Sequence, residues 1–92
     1  MPFFISNPVR IEANHFDTTS FDRMQALVKW MTDAGTKAWH NGNDIYIETL
    51  EGRMRANLFD WIILGTRGEF YPCKPDVFAV KYHAETTGNG EV

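Results

Sequence analysis

The chain holds one cysteine in 92 residues. A lone thiol cannot close an internal disulfide, so a disulfide-stapled secreted scaffold is excluded. No apolar run approaches the ~20 residues that a membrane-spanning helix needs. The N-terminus lacks a basic segment followed by an apolar one, so nothing reads as a signal peptide. Basic residues are outnumbered, nine Lys plus Arg against twelve Asp plus Glu, which leaves a net charge of −3. That sign excludes a generic polybasic nucleic-acid coat but leaves room for a local basic patch. There is no internal repeat and no linker. What is present is an ordinary globular balance of 43% hydrophobic, 14% aromatic and 23% charged residues, which excludes wholesale disorder. Two halves of such a chain would each be too small to bury a core, so one domain is expected over residues 1–83. The small, polar, Gly-containing stretch 84–92 reads as a flexible tail. A small, soluble, cytosolic domain is the expectation. Its size leaves little room for an enclosed cavity, which favours binding by an outer face.

Hydrophobic periodicity places the elements. Pro2 to Asn7 is an apolar lead-in, and Val9, Ile11 and Ala13 then alternate with Arg10, Glu12 and Asn14, the period of a half-buried strand. Met24, Leu27, Val28 and Met31 share one helix face, with Phe21 beside it and Asp22, Gln25, Lys29 and Asp33 opposite. Thr18, Thr19 and Ser20 are candidate N-caps, Thr19 with Asp22 forming a capping-box variant, and Gly35 is a natural stop. The spacing predicts one amphipathic helix over about 20–34, laid on a sheet. Trp30 projects about 120° from Met24 on the helix flank at ~100° per residue, suited to covering a sheet edge or anchoring a partner.

Thr36 to His40 is a short strand, and Asn41-Gly42-Asn43-Asp44 a turn. Alternation continues through Ile45 to Leu50 and Arg53 to Leu58, with Glu51-Gly52 as the expected two-residue turn. That register pairs Glu48 with Arg55, as an ion pair, and Thr49 with Met54. It puts Ile45, Ile47, Met54, Ala56 and Leu58 on one face and Tyr46, Glu48, Arg53 and Arg55 on the other. Trp61 to Leu64 pairs with Glu69 to Tyr71 across Gly65-Thr66-Arg67-Gly68, and Pro72-Cys73-Lys74-Pro75 is expected to break the returning strand. A short helix at 76–79 running into a strand at 80–83 closes the chain. The fold class is α+β: an antiparallel sheet of four to six strands with one amphipathic helix on a face.

Catalytic chemistry finds little support. His15, His40, His83 and Cys73 have no close metal-ligand spacing. Cys73 between prolines suits a small apolar filler, although Lys74 next door could lower its pKa. Asp60 and Glu69 are the carboxylates a hairpin would bring near each other, and they suit a turn cap and a solvated charge better than an acid/base dyad. Gly65-x-x-Gly68 lacks the Lys-Ser/Thr of a phosphate loop. No enzyme, metal or cofactor is therefore expected. Arg53 and Arg55 share an outer face and Arg67 sits at a loop tip, with Tyr46 and Trp39 adding aromatic surface. Arginine suits bidentate contact with carboxylate or phosphate. Arg53, Arg55 and Arg67, then Lys29, Trp30 and Lys37, are the candidate partner- or RNA-binding residues; a solvated face blunted against aggregation is the plain alternative.

The stretch Asp60-Trp61-Ile62-Ile63-Leu64-Gly65-Thr66-Arg67-Gly68-Glu69-Phe70-Tyr71-Pro72-Cys73-Lys74-Pro75-Asp76-Val77-Phe78 resembles a signature of small phage and prophage proteins, as does Thr49-Leu50-Glu51-Gly52 followed by Met54. Phe59 stands where that signature usually has Gly, and Leu64 where a basic residue is common. The Met-Pro-Phe-Phe start and the Tyr82-His83 ending are similar to phage anti-CRISPR inhibitors directed at the type I-F (Csy) surveillance complex. The resemblance implies a non-enzymatic blocker in the host bacterial cytoplasm, whose partners are Cas protein subunits and the CRISPR RNA, and which stops target DNA from hybridising with the guide. The near balance between duplexes in guide–target exchange makes such a block physically reasonable. A stand-alone nucleic-acid binder and a phage accessory protein acting on another host protein are the rival readings.

Overall fold

The computed structural model describes residues 3–6 and 9–84, without the side chains of 3–6, 9, 10, 83 and 84. Of the tail expected over 84–92, Ala84 lies in a strand and residues 85–92 lie outside the described residues, as do the side chains of Val9 and His83. The fold is α+β, and the described residues form eight strands and two helices. Strand β1 (Phe3–Ser6) pairs with β2 (Val9–His15), and α1 (Phe21–Asp33) follows. The strands β3 (Ala38–His40), β4 (Ile45–Thr49) and β5 (Gly52–Ala56) form an antiparallel meander of their own. Then come β6 (Trp61–Leu64), β7 (Phe70–Cys73), α2 (Pro75–Lys81) and β8 (His83–Ala84). The larger sheet runs β7-β6-β2-β1-β8 and the smaller β3-β4-β5. The strands thus divide over two sheets, and the short helix expected at 76–79 forms and extends over Pro75–Lys81.

Helix α1 starts where Ser20 Oγ accepts from the Arg23 amide at 3.2 Å, so Ser20 is the cap rather than Thr19. Its buried Met24, Leu27 and Met31 meet Ile45, Ile47 and Ala56 of the small sheet and Ile62 and Phe70 of the large one. Phe16, the residue that follows β2, is fully buried in this cluster. Phe21 stays 65% exposed, edge-on to His40, and adds nothing to the helix stripe. The other face of the large sheet is covered by α2. Ile11, Ala13 and Ile63 pack there around Phe78, bordered by Trp61, Tyr71 and Tyr82. A stack of rings, Trp61 on Phe78 at 4.0 Å and Phe78 on Tyr82 at 5.0 Å, fixes the helix to the sheet.

Three local expectations change. The β4–β5 register pairs Glu48 with Arg53, Tyr46 with Arg55 and Ile47 with Met54, two residues away from the expected one. The loop is Leu50-Glu51, and Gly52 follows it at φ +110°. Neither loop residue has positive φ, so the two-residue turn is not the expected Glu51-Gly52, and the left-handed position falls after the loop. A slip of two keeps every side chain on its expected face; only the partners change. Leu58 lies beyond the strand and is exposed. Next, β7 continues through Pro72 to Cys73, opposite Ile62 and Trp61. Proline is tolerated because β7 is an edge strand. Finally, 75–81 is all helix, and the last strand is His83–Ala84, paired with Ile5 and Phe4.

Candidate nucleic-acid interface

Alternation along three strands builds the site. Ile45 and Ile47 of β4 turn inward and are fully buried under α1, so Tyr46 and Glu48 turn outward. Lys37 continues the β3 ladder, its carbonyl accepting from the Glu48 amide at 3.0 Å. Two cross-strand rows follow on the outer face. One is Lys37, Glu48 and Arg53; the other is Trp39, Tyr46 and Arg55. Trp39 and Tyr46 stack with centroids 5.9 Å apart and planes 20° apart. The Arg53 guanidinium lies 5.0 Å over the Trp39 ring while its Nε donates to Glu48 Oε2 at 3.2 Å. Asn41 Nδ2 donates to the Tyr46 hydroxyl at 3.3 Å. The face therefore carries three cations and one carboxylate around two stacked rings, in a chain whose net charge is −3.

Arg67 stands at the β6–β7 turn, where its amide donates to Glu69 Oε1 at 3.1 Å. It borders two open clefts of about 410 Å³ each, on either side of the Leu50 hairpin tip. Lys37 and Glu48 line one; Met54 and Tyr71 line the other. Lys37, Arg55 and Arg67 are in no ion pair among the described residues. Four of the six residues singled out from sequence, Lys37, Arg53, Arg55 and Arg67, are thus gathered on and beside the small sheet.

Lys29 and Trp30 are elsewhere. Helix α1 covers the inner face of the small sheet, which separates Lys29 from the outer rows; its ammonium pairs with Asp33 at 2.9 Å. Trp30 packs edge-on against Phe70 at 4.9 Å and covers the core margin. Sequence reasoning did not find Glu48 as the partner of Arg53, nor Leu50 as the prominence between two clefts. Leu50 is 93% exposed at the turn, and the displaced register had hidden it inside a strand.

The remaining reactive groups are engaged structurally. His15 stacks on Trp61 at 4.5 Å and its Nε2 meets the Phe59 carbonyl at 3.0 Å, while His40 Nε2 meets Gln25 Oε1 at 2.8 Å. No three His, Cys, Asp or Glu among the described residues could hold a metal. Burial pushes the Cys73 thiol pKa up, with Lys81 opposing. Lys74, the neighbour that could have lowered the Cys73 pKa, instead donates to Asp60 Oδ2 at 3.2 Å and Asn57 Oδ1 at 3.1 Å. Asp60 is buried and also accepts from the Asn57 amide at 2.9 Å. No helix among the described residues is long and apolar enough to cross a membrane. No family model, curated protein or solved structure matches the chain.

Proposed function

We propose that this chain is a non-enzymatic inhibitor that binds a ribonucleoprotein with the outer face of its small sheet. The observation that carries the reading is the pair of rows Lys37-Glu48-Arg53 and Trp39-Tyr46-Arg55. Stacked rings offer π-faces to unpaired bases, worth ~1–3 kcal/mol per base, and flanking guanidinium groups meet phosphates. Negative charge over the rest of the chain disfavours coating of free nucleic acid, so the contact is a local one inside a larger protein interface. The resemblance of residues 49–54 and 60–78 to phage proteins, and of both ends of the chain to anti-CRISPR inhibitors, directs the reading to the type I-F surveillance complex. There the chain would contact Cas subunits and CRISPR RNA in the host cytoplasm and keep target DNA from pairing with the guide.

The test mixes the purified chain with the assembled complex, then measures co-elution and target-duplex binding. Stoichiometric co-elution with loss of duplex binding is expected. Absence from the complex peak would end the reading. Tight, steeply salt-dependent binding to free guide RNA would favour a stand-alone nucleic-acid binder instead.

A further inference from the structure

Beyond that reading, though sharing its Arg53 and Arg55, the edge of the small sheet is a second candidate surface. Strand β5 is terminal in the order β3-β4-β5. The Glu48 amide points to β3, where it bonds the Lys37 carbonyl. Glu48 and its partner Arg53 are therefore a non-hydrogen-bonded pair, as are Tyr46 and Arg55 two steps on. It follows that the amides and carbonyls of Arg53 and Arg55 point outward from β5. None of these four groups has a backbone partner among the described residues. Arg53 and Arg55 are exposed. The terminal strand β7 of the other sheet is blunted by Pro72, which has no N–H to offer.

Side chains along β5 specify what could pair there. Arg53 and Arg55 project to the outer face. Met54 projects to the opposite side, 37% exposed, beside the cleft it shares with Leu50, Phe70 and Tyr71. We propose that β5 accepts an added antiparallel strand from a partner protein, an extended acidic–apolar–acidic segment. Its two carboxylates would face Arg53 and Arg55, and its central apolar side chain would enter the cleft beside Met54. A second copy of this chain is a poor occupant. Antiparallel β5–β5 pairing centred on Met54 sets Arg53 against Arg55 twice, and like charges directly opposite are unfavourable.

The test is NMR on the intact chain with a capped heptapeptide, acetyl-Thr-Thr-Glu-Val-Glu-Thr-Thr-amide. At saturation, hydrogen exchange of the Arg53 and Arg55 amides should slow about tenfold or more, with resonance shifts at Met54 and Tyr71. The same peptide N-methylated on both glutamates keeps its charge but loses the two pairing donors, and should give no protection. Unchanged exchange with the first peptide, or equal protection by the N-methylated peptide or by an eight-nucleotide oligouridylate, would overturn the proposal. Protection that grows with protein concentration in the absence of peptide would overturn it in favour of self-pairing.

Discussion

Replacing Asp60 by Ala should destabilise the fold more than any surface substitution. The carboxylate is 2% exposed, accepts from the Asn57 amide at 2.9 Å and pairs with Lys74 at 3.2 Å. A charge-assisted hydrogen bond of this kind contributes about 1.5–3 kcal/mol. The Lys74 side chain is 59% exposed, so screening holds the ion pair to roughly 0.5–1 kcal/mol. The sum is about 3 kcal/mol, or a fall in Tm of roughly 12–24 °C for a domain of this size. Thermal and urea unfolding followed by circular dichroism measures it. Asp60→Asn keeps an oxygen for the Asn57 amide and should cost about half as much; Lys74→Met should cost about 1 kcal/mol. A loss below 1 kcal/mol for Asp60→Ala, or an equal loss for Lys74→Met, would refute the reasoning. The result also bears on the phage-like stretch 60–78. Asp60 and Lys74 fall one register step beyond the Trp61–Cys73 pair and close the hairpin's open end, a structural role for both.

Three further outcomes follow from the geometry. Phe59 is the one non-glycine with positive φ among the described residues, at 78°, and is 53% exposed; Phe59→Gly should raise stability by about 1 kcal/mol and Phe59→Val lower it by about 1–2, as read by Tm. Ser20→Ala should cost about 1 kcal/mol while Thr19→Ala is nearly neutral in urea titrations, because Ser20 makes the cap bond. Burial, then the hydrogen bond and charge of Tyr82, raises the Tyr71 phenol pKa above its unfolded value of 10.0. The native state then holds that proton where the unfolded chain releases it. The contribution is complete below pH ~10 and declines above it, and Tyr71→Phe should flatten that alkaline decline in pH-dependent urea midpoints.

Much of this was readable from residue order. Period-two alternation placed Tyr46, Glu48, Arg53 and Arg55 on one face, and a shift of two residues in pairing leaves such parity untouched. The pairing itself was not readable, because the position of the left-handed residue decides it, and Gly52 serves equally well inside a loop or after one. The apolar run Trp61–Leu64 gave a strand without saying that both its faces are covered. Ile62 packs toward α1 and Ile63 toward α2, a consequence of contacts distant in sequence. For the site, Lys37 joined the arginines through the β3 ladder. Lys29 and Trp30 did not, because helix exposure alone says nothing about which sheet face the helix occupies.

The proposed binding contact lies on the outer rows of the small sheet. Measuring the affinity of Arg53→Glu with Arg55→Glu for the assembled surveillance complex tests it most directly, with circular dichroism confirming the fold. Binding weaker by about a hundredfold or more, about 2.7 kcal/mol, is expected. A folded double variant that binds and inhibits like the parent chain would contradict it.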